Sequence, residues 1–245
     1  FTKYGMPWLV APNITPDVET GAGAWTDEQF ARAIREGVGH DGRKLFPIMP
    51  YKHFRAMSDE DLASVVVYLR TIEPVRNVLP KTKVPEPLKN ALPEHQPIDG
   101  PVSAPDTSDA VAHGKYLVAL GSCASCHTPV KDGLPMSHLE FAGGMSFKGP
   151  WGDVNSANIT PDASGISYYD EALFIKTLRT GHVGSRKLSS IMPWGYFRNM
   201  TDDDLKSIFA YLRTLRPVQH RVDNTELPTD CPICKRRHGY GEMNP

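Results

Sequence analysis

IMPYKHFRAMSDEDLASVVVYLRTIEPV, from Ile48 to Val75, returns as IMPWGYFRNMTDDDLKSIFAYLRTLRPV, from Ile191 to Val218. A repeat of this length decides the architecture before any element is assigned: the chain holds two homologous units. The match extends outside the quoted stretch. Asn13-Ile14-Thr15-Pro16-Asp17 returns as Asn158-Ile159-Thr160-Pro161-Asp162, Gly21 as Gly165 and Phe30 as Phe174. Arg43-Lys44-Leu45 returns as Arg186-Lys187-Leu188. The spacing between matched positions drifts little, so small loop changes account for it, and the period is too long for a solenoid.

Each unit reads as short helices separated by long loops. Thr26-Asp27-Glu28 opens a helix that Gly37 stops. Ser58-Asp59-Glu60-Asp61 opens another, with Leu62, Val65, Val66 and Leu69 at helical spacing and Pro74 at its end. Thr201-Asp202-Asp203-Asp204 opens its counterpart, with Leu205, Ile208, Phe209 and Leu212 inward. Acids at the start and Arg213 and Arg216 at the end suit the helix dipole. Ala110 to Leu120 is a further helix. No sustained period-two alternation occurs, so the expected fold class is all-α. Between the units lie Pro80, Pro85, Pro87, Pro93, Pro97, Pro101 and Pro105. Proline removes donors and fixes φ, which predicts an extended linker across the surface of both domains. The expected division is a first domain at 1–77, the Pro-rich linker at 78–108, a second domain at 109–222 and a tail at 223–245.

At 245 residues the chain is long enough for two small cores. A formal net charge of -1 argues against a general nucleic-acid binder, which would need a basic stripe. The longest apolar run, near Ala63 to Leu69, is far too short to cross a bilayer. The chain starts at Phe1 without an initiator Met or a signal peptide, and reads as a processed or truncated piece.

The chemistry concentrates in Cys123-Ala124-Ser125-Cys126-His127. C-x-x-C-H is the c-type haem attachment signal: two thiols reach the two vinyl groups and the adjacent His stands under the iron. A disulfide or a zinc half-site with a chance His is the competing reading. The sixth ligand is expected to be Met192, on a loop stiffened by Pro193 and repeated as Met49-Pro50. Met136, Met145, Met200 and His182 are its competitors. Covalent haem attachment implies maturation outside the bacterial cytoplasm, hence a periplasmic location, with any membrane association coming through a partner.

CASCHTP, NITPD, the Gly-rich approach to IMPW, and TDDDLKSIFAYLRTLRPV resemble the dihaem class I cytochromes c. Some of these serve as electron-transfer subunits of periplasmic alcohol, aldehyde and sugar-acid dehydrogenases. The resemblance covers nearly the whole chain up to about Val222. It implies two tandem haem domains with His/Met ligation and a Pro-rich join. Carried over by position, Cys123 and Cys126 hold haem c, His127 is proximal and Met192 distal. Arg186, like Arg43, stands just before its Met loop and is expected to pair with a propionate, with a solvated loop as the competing reading. Trp151, Trp194 and Phe197, like Tyr51 and Phe54, are placed to line haem pockets, with ordinary core packing as the competing role.

One departure stands out. Asn158 follows Cys123 by 35 residues, whereas Asn13 stands close to Phe1, so the first attachment motif would fall before Phe1. Either that segment lies upstream in the natural protein or the first domain has lost its haem. The first reading is favoured, because Met49-Pro50 stays in register, and it makes Met49 the axial ligand of a first-domain haem. The first domain also lacks a counterpart of Ala110–Leu120 and is expected to be unstable alone. In the tail, Cys231 and Cys234 read as a disulfide. A metal site with His238, a C-x-x-C-K attachment through Lys235, and pairing with another chain are the alternatives. The leading function is an electron carrier, not an enzyme, passing electrons between redox protein partners: a periplasmic or membrane dehydrogenase, a terminal oxidase or another cytochrome. The alternatives are a dihaem redox enzyme of peroxidase or thiosulfate-oxidising type and a scaffold subunit with one working haem.

Overall fold

The computed structural model describes residues 5–149, 152–184 and 186–222, together with 229–230, 235 and 237–238. The chain divides into two compact units, Phe1–Ala104 and Pro105–Pro245.

In the first unit, α1 (Asp27–Ala31) begins with a capping box: the Thr26 side chain accepts from the Gln29 backbone and the Gln29 side chain accepts in return. The helix widens into a π-type turn at Arg32–Glu36 and stops where Gly37 turns left-handed at φ 72°. α2 (Tyr51–Phe54) follows Pro50. α3 (Asp59–Thr71) starts where Ser58 accepts from the Asp61 N–H. Phe30, Ile34, Leu62 and Val66 are buried. On the same helix Val67 and Tyr68 remain 61% and 67% exposed.

The Pro-rich segment carries one short helix, α4 (Glu86–Asn90). Its ends are bonded to the first unit. Lys83 N–H donates to the Trp8 carbonyl, Thr82 exchanges bonds with Val10, and Ile98 N–H donates to Glu36. Val102 N–H donates to the Asp59 carboxylate while Asp59 N–H returns a bond to the Val102 carbonyl.

The second unit is built on α5 (Ala110–Leu120), α6 (Cys123–His127), α7 (Glu171–Thr180), α8 (Trp194–Phe197) and α9 (Asp202–Thr214). α5 crosses α9 at Gly114, where an added Cβ would lie 1.8 Å from the Ser207 carbonyl oxygen. Such contact between backbones needs a residue without a side chain. Leu205 is fully buried, with Val118, Phe174, Ile208, Phe209 and Leu212 around it. Phe174 and Phe209 stack at 5.1 Å. Burying each of these side chains contributes about 1.5–3 kcal/mol.

The expectation of an all-α fold is corrected here. The described structure is only 36% helical. Among the described residues four antiparallel ribbons accompany the helices: β1 (Val130–Lys131) with β2 (Leu134–Pro135), β3 (Ser146–Gly149) with β4 (Gly152–Asn155), β5 (His182–Val183) with β6 (Arg186–Lys187), and β7 (Thr229–Asp230) with β8 (Arg237–His238). Strands of two to four residues are too short to print a period-two pattern, so periodicity could not reveal them.

The repeated NITPD motif makes the same knot in both units. The Asn158 carboxamide oxygen accepts from Thr160 N–H and Oγ1–H at 2.9 and 2.8 Å, and its amide donates to the Val218 carbonyl. Val218 N–H then donates to Thr160 Oγ1. Asn13, Thr15 and Val75 repeat these bonds. Asn158 and Thr160 are buried, so their polar atoms must be satisfied internally.

Asp204 does two jobs. Its carboxylate accepts from Thr201 N–H to close a capping box on α9, and it meets His113 Nε2 of α5 at 2.9 Å. Burial alone would raise this carboxyl, but the bonds from His113 and Thr201 outweigh it and hold the pKa below the ordinary 3.8. A lowered folded value contributes stability that is complete above the unfolded value and is lost as pH falls through the folded one. The gap in urea midpoint between the parent and Asp204→Asn is therefore expected to be widest at pH 7 and to shrink below about pH 4. A gap that stays constant down to pH 3 would contradict this role.

Candidate functional site

Cys123 and Cys126 sit one helical turn apart on α6, so both sulfurs face the same side. Ser122, left-handed at φ 54°, turns the chain sharply from α5 into α6. His127 ends the helix. Its Nδ1 lies 2.7 Å from the Ala157 carbonyl oxygen. A carbonyl can only accept, so Nδ1 carries the proton and Nε2 keeps a free lone pair. Burial also pulls the imidazole toward its neutral form, against the smaller opposing effect of the Ala157 bond. Neutral imidazole is the form that ligates a metal.

Cys123, Cys126 and His127 open onto one cavity of about 400 Å³. That volume lies within the range of cofactor pockets. Met192 reaches the same cavity from the opposite part of the sequence. Its loop is pinned by Leu188 N–H to the Gly181 carbonyl (2.7 Å), Met192 N–H to the Ser189 carbonyl (3.1 Å) and Trp194 N–H to the Met192 carbonyl (2.8 Å). Arg186 and Phe197 also line the space, and so does Met200. Burial, with a further push from Cys126, raises the Cys123 thiol to about 11, so it is carried as a neutral thiol at neutral pH. Neither cysteine is in a disulfide.

The remaining sequence candidates lie elsewhere. Trp194 does not face the cavity. It packs over Gly181, where an added Cβ would meet the indole at 2.3 Å. His182 turns its Nδ1 to the Thr180 carbonyl at 2.9 Å. Met136 lines a separate groove with His220, and the backbone N–H of Met145 donates to Ser156 Oγ. Trp151, Cys231 and Cys234 lie outside the described residues.

Sequence reasoning missed Phe147 and Val154 of the β3–β4 ribbon, and Tyr169, all of which line the cavity. Tyr169 was findable, since the repeat aligns it with an aromatic residue, Trp25. Burial and the neighbouring Tyr168 push its hydroxyl well above the ordinary tyrosine value.

The first unit carries the same Met-Pro loop. Leu45 N–H donates to the Gly37 carbonyl (2.7 Å), Met49 N–H to Phe46 (3.1 Å) and Tyr51 N–H to Met49 (2.8 Å). Pro50 and Pro193 share φ and ψ to within a degree, at -80° and 41° against -79° and 41°. Arg43 pairs with Asp41.

No family model matches the chain. Among curated proteins it is 30% identical over 237 residues to the cytochrome c subunit of a quinone alcohol dehydrogenase from Gluconacetobacter polyoxogenes, covering 88% of this chain and 50% of that protein. It is 31% identical over 221 residues to the fructose dehydrogenase cytochrome subunit of Gluconobacter japonicus, covering 84% of this chain and 44% of that one. A diheme cytochrome c-type protein of Cereibacter sphaeroides is 28% identical over 232 residues, with 89% of this chain and 74% of that protein covered. The chain spans about half the length of the first two relatives. Among the described residues no helix is long and apolar enough to cross a membrane.

Proposed function

Because this chain is homologous to the cytochrome c subunits of dehydrogenases and to a dihaem cytochrome c, we propose that it is an electron carrier, holding haem c and passing electrons from a dehydrogenase to an acceptor. The observation that carries this reading is the convergence of Cys123, Cys126, His127 and Met192 on one largely apolar cavity.

Haem c, when bound, supplies a one-electron Fe(III)/Fe(II) couple. The chain's own residues fit that group. Cys123 and Cys126 tether it as thioethers. His127 offers Nε2 to the iron, with Nδ1 fixed by Ala157. Met192 offers a neutral thioether, which favours Fe(II) and raises the potential. Arg186 puts a cation on the wall, suited to a propionate. With His127 and Met192 both offered to the metal, a substrate would find no open position on it, which suits a carrier rather than an enzyme.

Met49 is the axial ligand proposed for a haem in the first domain. The matched loop geometry supports it. So does exposed apolar surface at Ile14 and Ile48, whose counterparts Ile159 and Ile191 line the second-unit cavity. The division into cytochrome domains at 1–77 and 109–222, joined by 78–108 and followed by the tail 223–245, belongs to the same proposal. The site of action is periplasmic, and the partners are a dehydrogenase and a terminal oxidase or another cytochrome.

The test is a pyridine haemochrome assay with intact mass on the full natural protein. Two haems per polypeptide are expected. A single haem would remove Met49 from the ligand set, and none would overturn the carrier reading. A Met192→Ala variant is expected to keep its haem, lose the methionine–iron absorption band and fall in potential. An unchanged spectrum would assign the sixth ligand elsewhere, first of all to Met200.

A further inference from the structure

The Ala157 carbonyl that accepts the hydrogen bond from His127 Nδ1–H is held by a neighbouring turn. Gly143 N–H donates to the His127 carbonyl at 2.7 Å, which closes that turn against the end of α6. Gly144 N–H donates to the Ser156 carbonyl at 2.8 Å, and Ser156 N–H to the Met145 carbonyl at 2.9 Å. Met145 N–H adds a bond to Ser156 Oγ at 3.0 Å. The base of the β3–β4 ribbon is thus laced beside the acceptor peptide. Gly143 itself has φ 71°, and a Cβ built on it would lie 2.4 Å from the Ala157 carbonyl carbon and 2.5 Å from its oxygen. No real side chain tolerates that distance. Any substitution there must push the Ala157 carbonyl off its seat or unlace the turn.

We propose that Gly143 is a positioning residue for the proximal ligand. Its bare α-carbon lets the Ala157 carbonyl seat against His127 Nδ1 and so tunes the potential of the second-unit iron. The inference rests on the reading of His127 as an iron ligand. A strong Nδ1–H bond shifts electron density onto the imidazole and makes Nε2 a better donor, which stabilises Fe(III). Loosening that bond weakens the donor, and the potential rises. Gly143 does not line the cavity, so it acts on the site through the backbone it touches: the Ala157 and Ser156 carbonyls and the His127 carbonyl that its N–H holds.

The experiment uses the haem-loaded full-length protein. Gly143→Ala is compared with Gly133→Ala, whose glycine has a similar φ of 79° but nothing within 4 Å of an added Cβ. The control carries the same backbone strain without the push. Redox titration of Gly143→Ala is expected to show at least a threefold shift toward the reduced form at fixed ambient potential, about 30 mV on the one-electron scale. Proton NMR is expected to show faster solvent exchange of the His127 Nδ1–H. Gly133→Ala is expected to match the parent in both. If Gly143→Ala accumulates no holoprotein, Ser156→Ala carries the test. It removes the bond from Met145 and loosens the same peptide without adding atoms; because Ser156 also lines the cavity, faster solvent exchange of the His127 Nδ1–H, and not the potential, is the expected readout for this variant. A loaded variant with parental potential and exchange would overturn the inference, and so would equal shifts in Gly143→Ala and Gly133→Ala. Parent protein without haem would overturn the carrier reading first and this inference with it.

Discussion

Gly114→Val is expected to disrupt the second unit at its root. The α-carbon of Gly114 sits against the backbone of α9, and even a methyl group would lie 1.8 Å from the Ser207 oxygen and 2.4 Å from its carbonyl carbon. A flexible side chain can swing aside, but a backbone carbonyl inside a helix cannot. The two helices must separate, and the core around Leu205, Ile208 and Leu212 opens with them. Overpacking commonly costs about 1–3 kcal/mol, and a rigid backbone obstacle lies at or beyond the top of that range. The measurement is a urea midpoint on the variant against the parent, with haem content per polypeptide alongside. A midpoint within error of the parent would mean that α5 and α9 do not cross at Gly114.

A Cys123→Ala, Cys126→Ala double variant is expected to lose all haem that survives denaturation through the second unit. On the proposed reading the thioethers would be the covalent link, and no other described cysteine faces that cavity. His127 and Met192 alone give only ligand bonds, which a denaturing gel breaks. Haem-stained gels and intact mass read the result directly. Each single variant is expected to retain attachment through the remaining sulfur. Haem that stays with the double variant at full stoichiometry would place the attachment outside α6, and the cavity would then need a different occupant.

What could be read from the sequence was local. The caps on α1, α3 and α9 depend on residues three apart, Thr26 with Gln29, Ser58 with Asp61 and Thr201 with Asp204, and spacing alone reveals them. The repeat brought out Met192, because a Met-Pro pair at two matched positions is hard to assign to ordinary packing. Features set by contact across the chain were hidden. Gly114 reads as a mild defect inside a helix, and only the approach of α9 explains it. Trp194 sits beside Met192 in sequence yet packs on Gly181 instead of the cavity. Phe147 and Val154 reach the cavity through a ribbon too short to announce itself. Tyr169 needed the repeat to be read one position further.

The knots at Asn13 and Asn158 have a consequence for how this chain came to exist. Thr15 and Val75 stand near the two ends of the first repeat, and Thr160 and Val218 near the two ends of the second. Each knot therefore fastens the beginning of a matched stretch to its close. A segment whose ends already meet can be copied whole and set down beside the original, because the copy brings its own fastening with it. The slight drift in register between the two copies falls inside these closed segments, in loops that the knots bridge. Between the two matched stretches lie the segment dense in prolines and then α5 and α6 with Cys123, Cys126 and His127, so the part that carries the attachment motif stands outside the knotted loop and is joined to it separately.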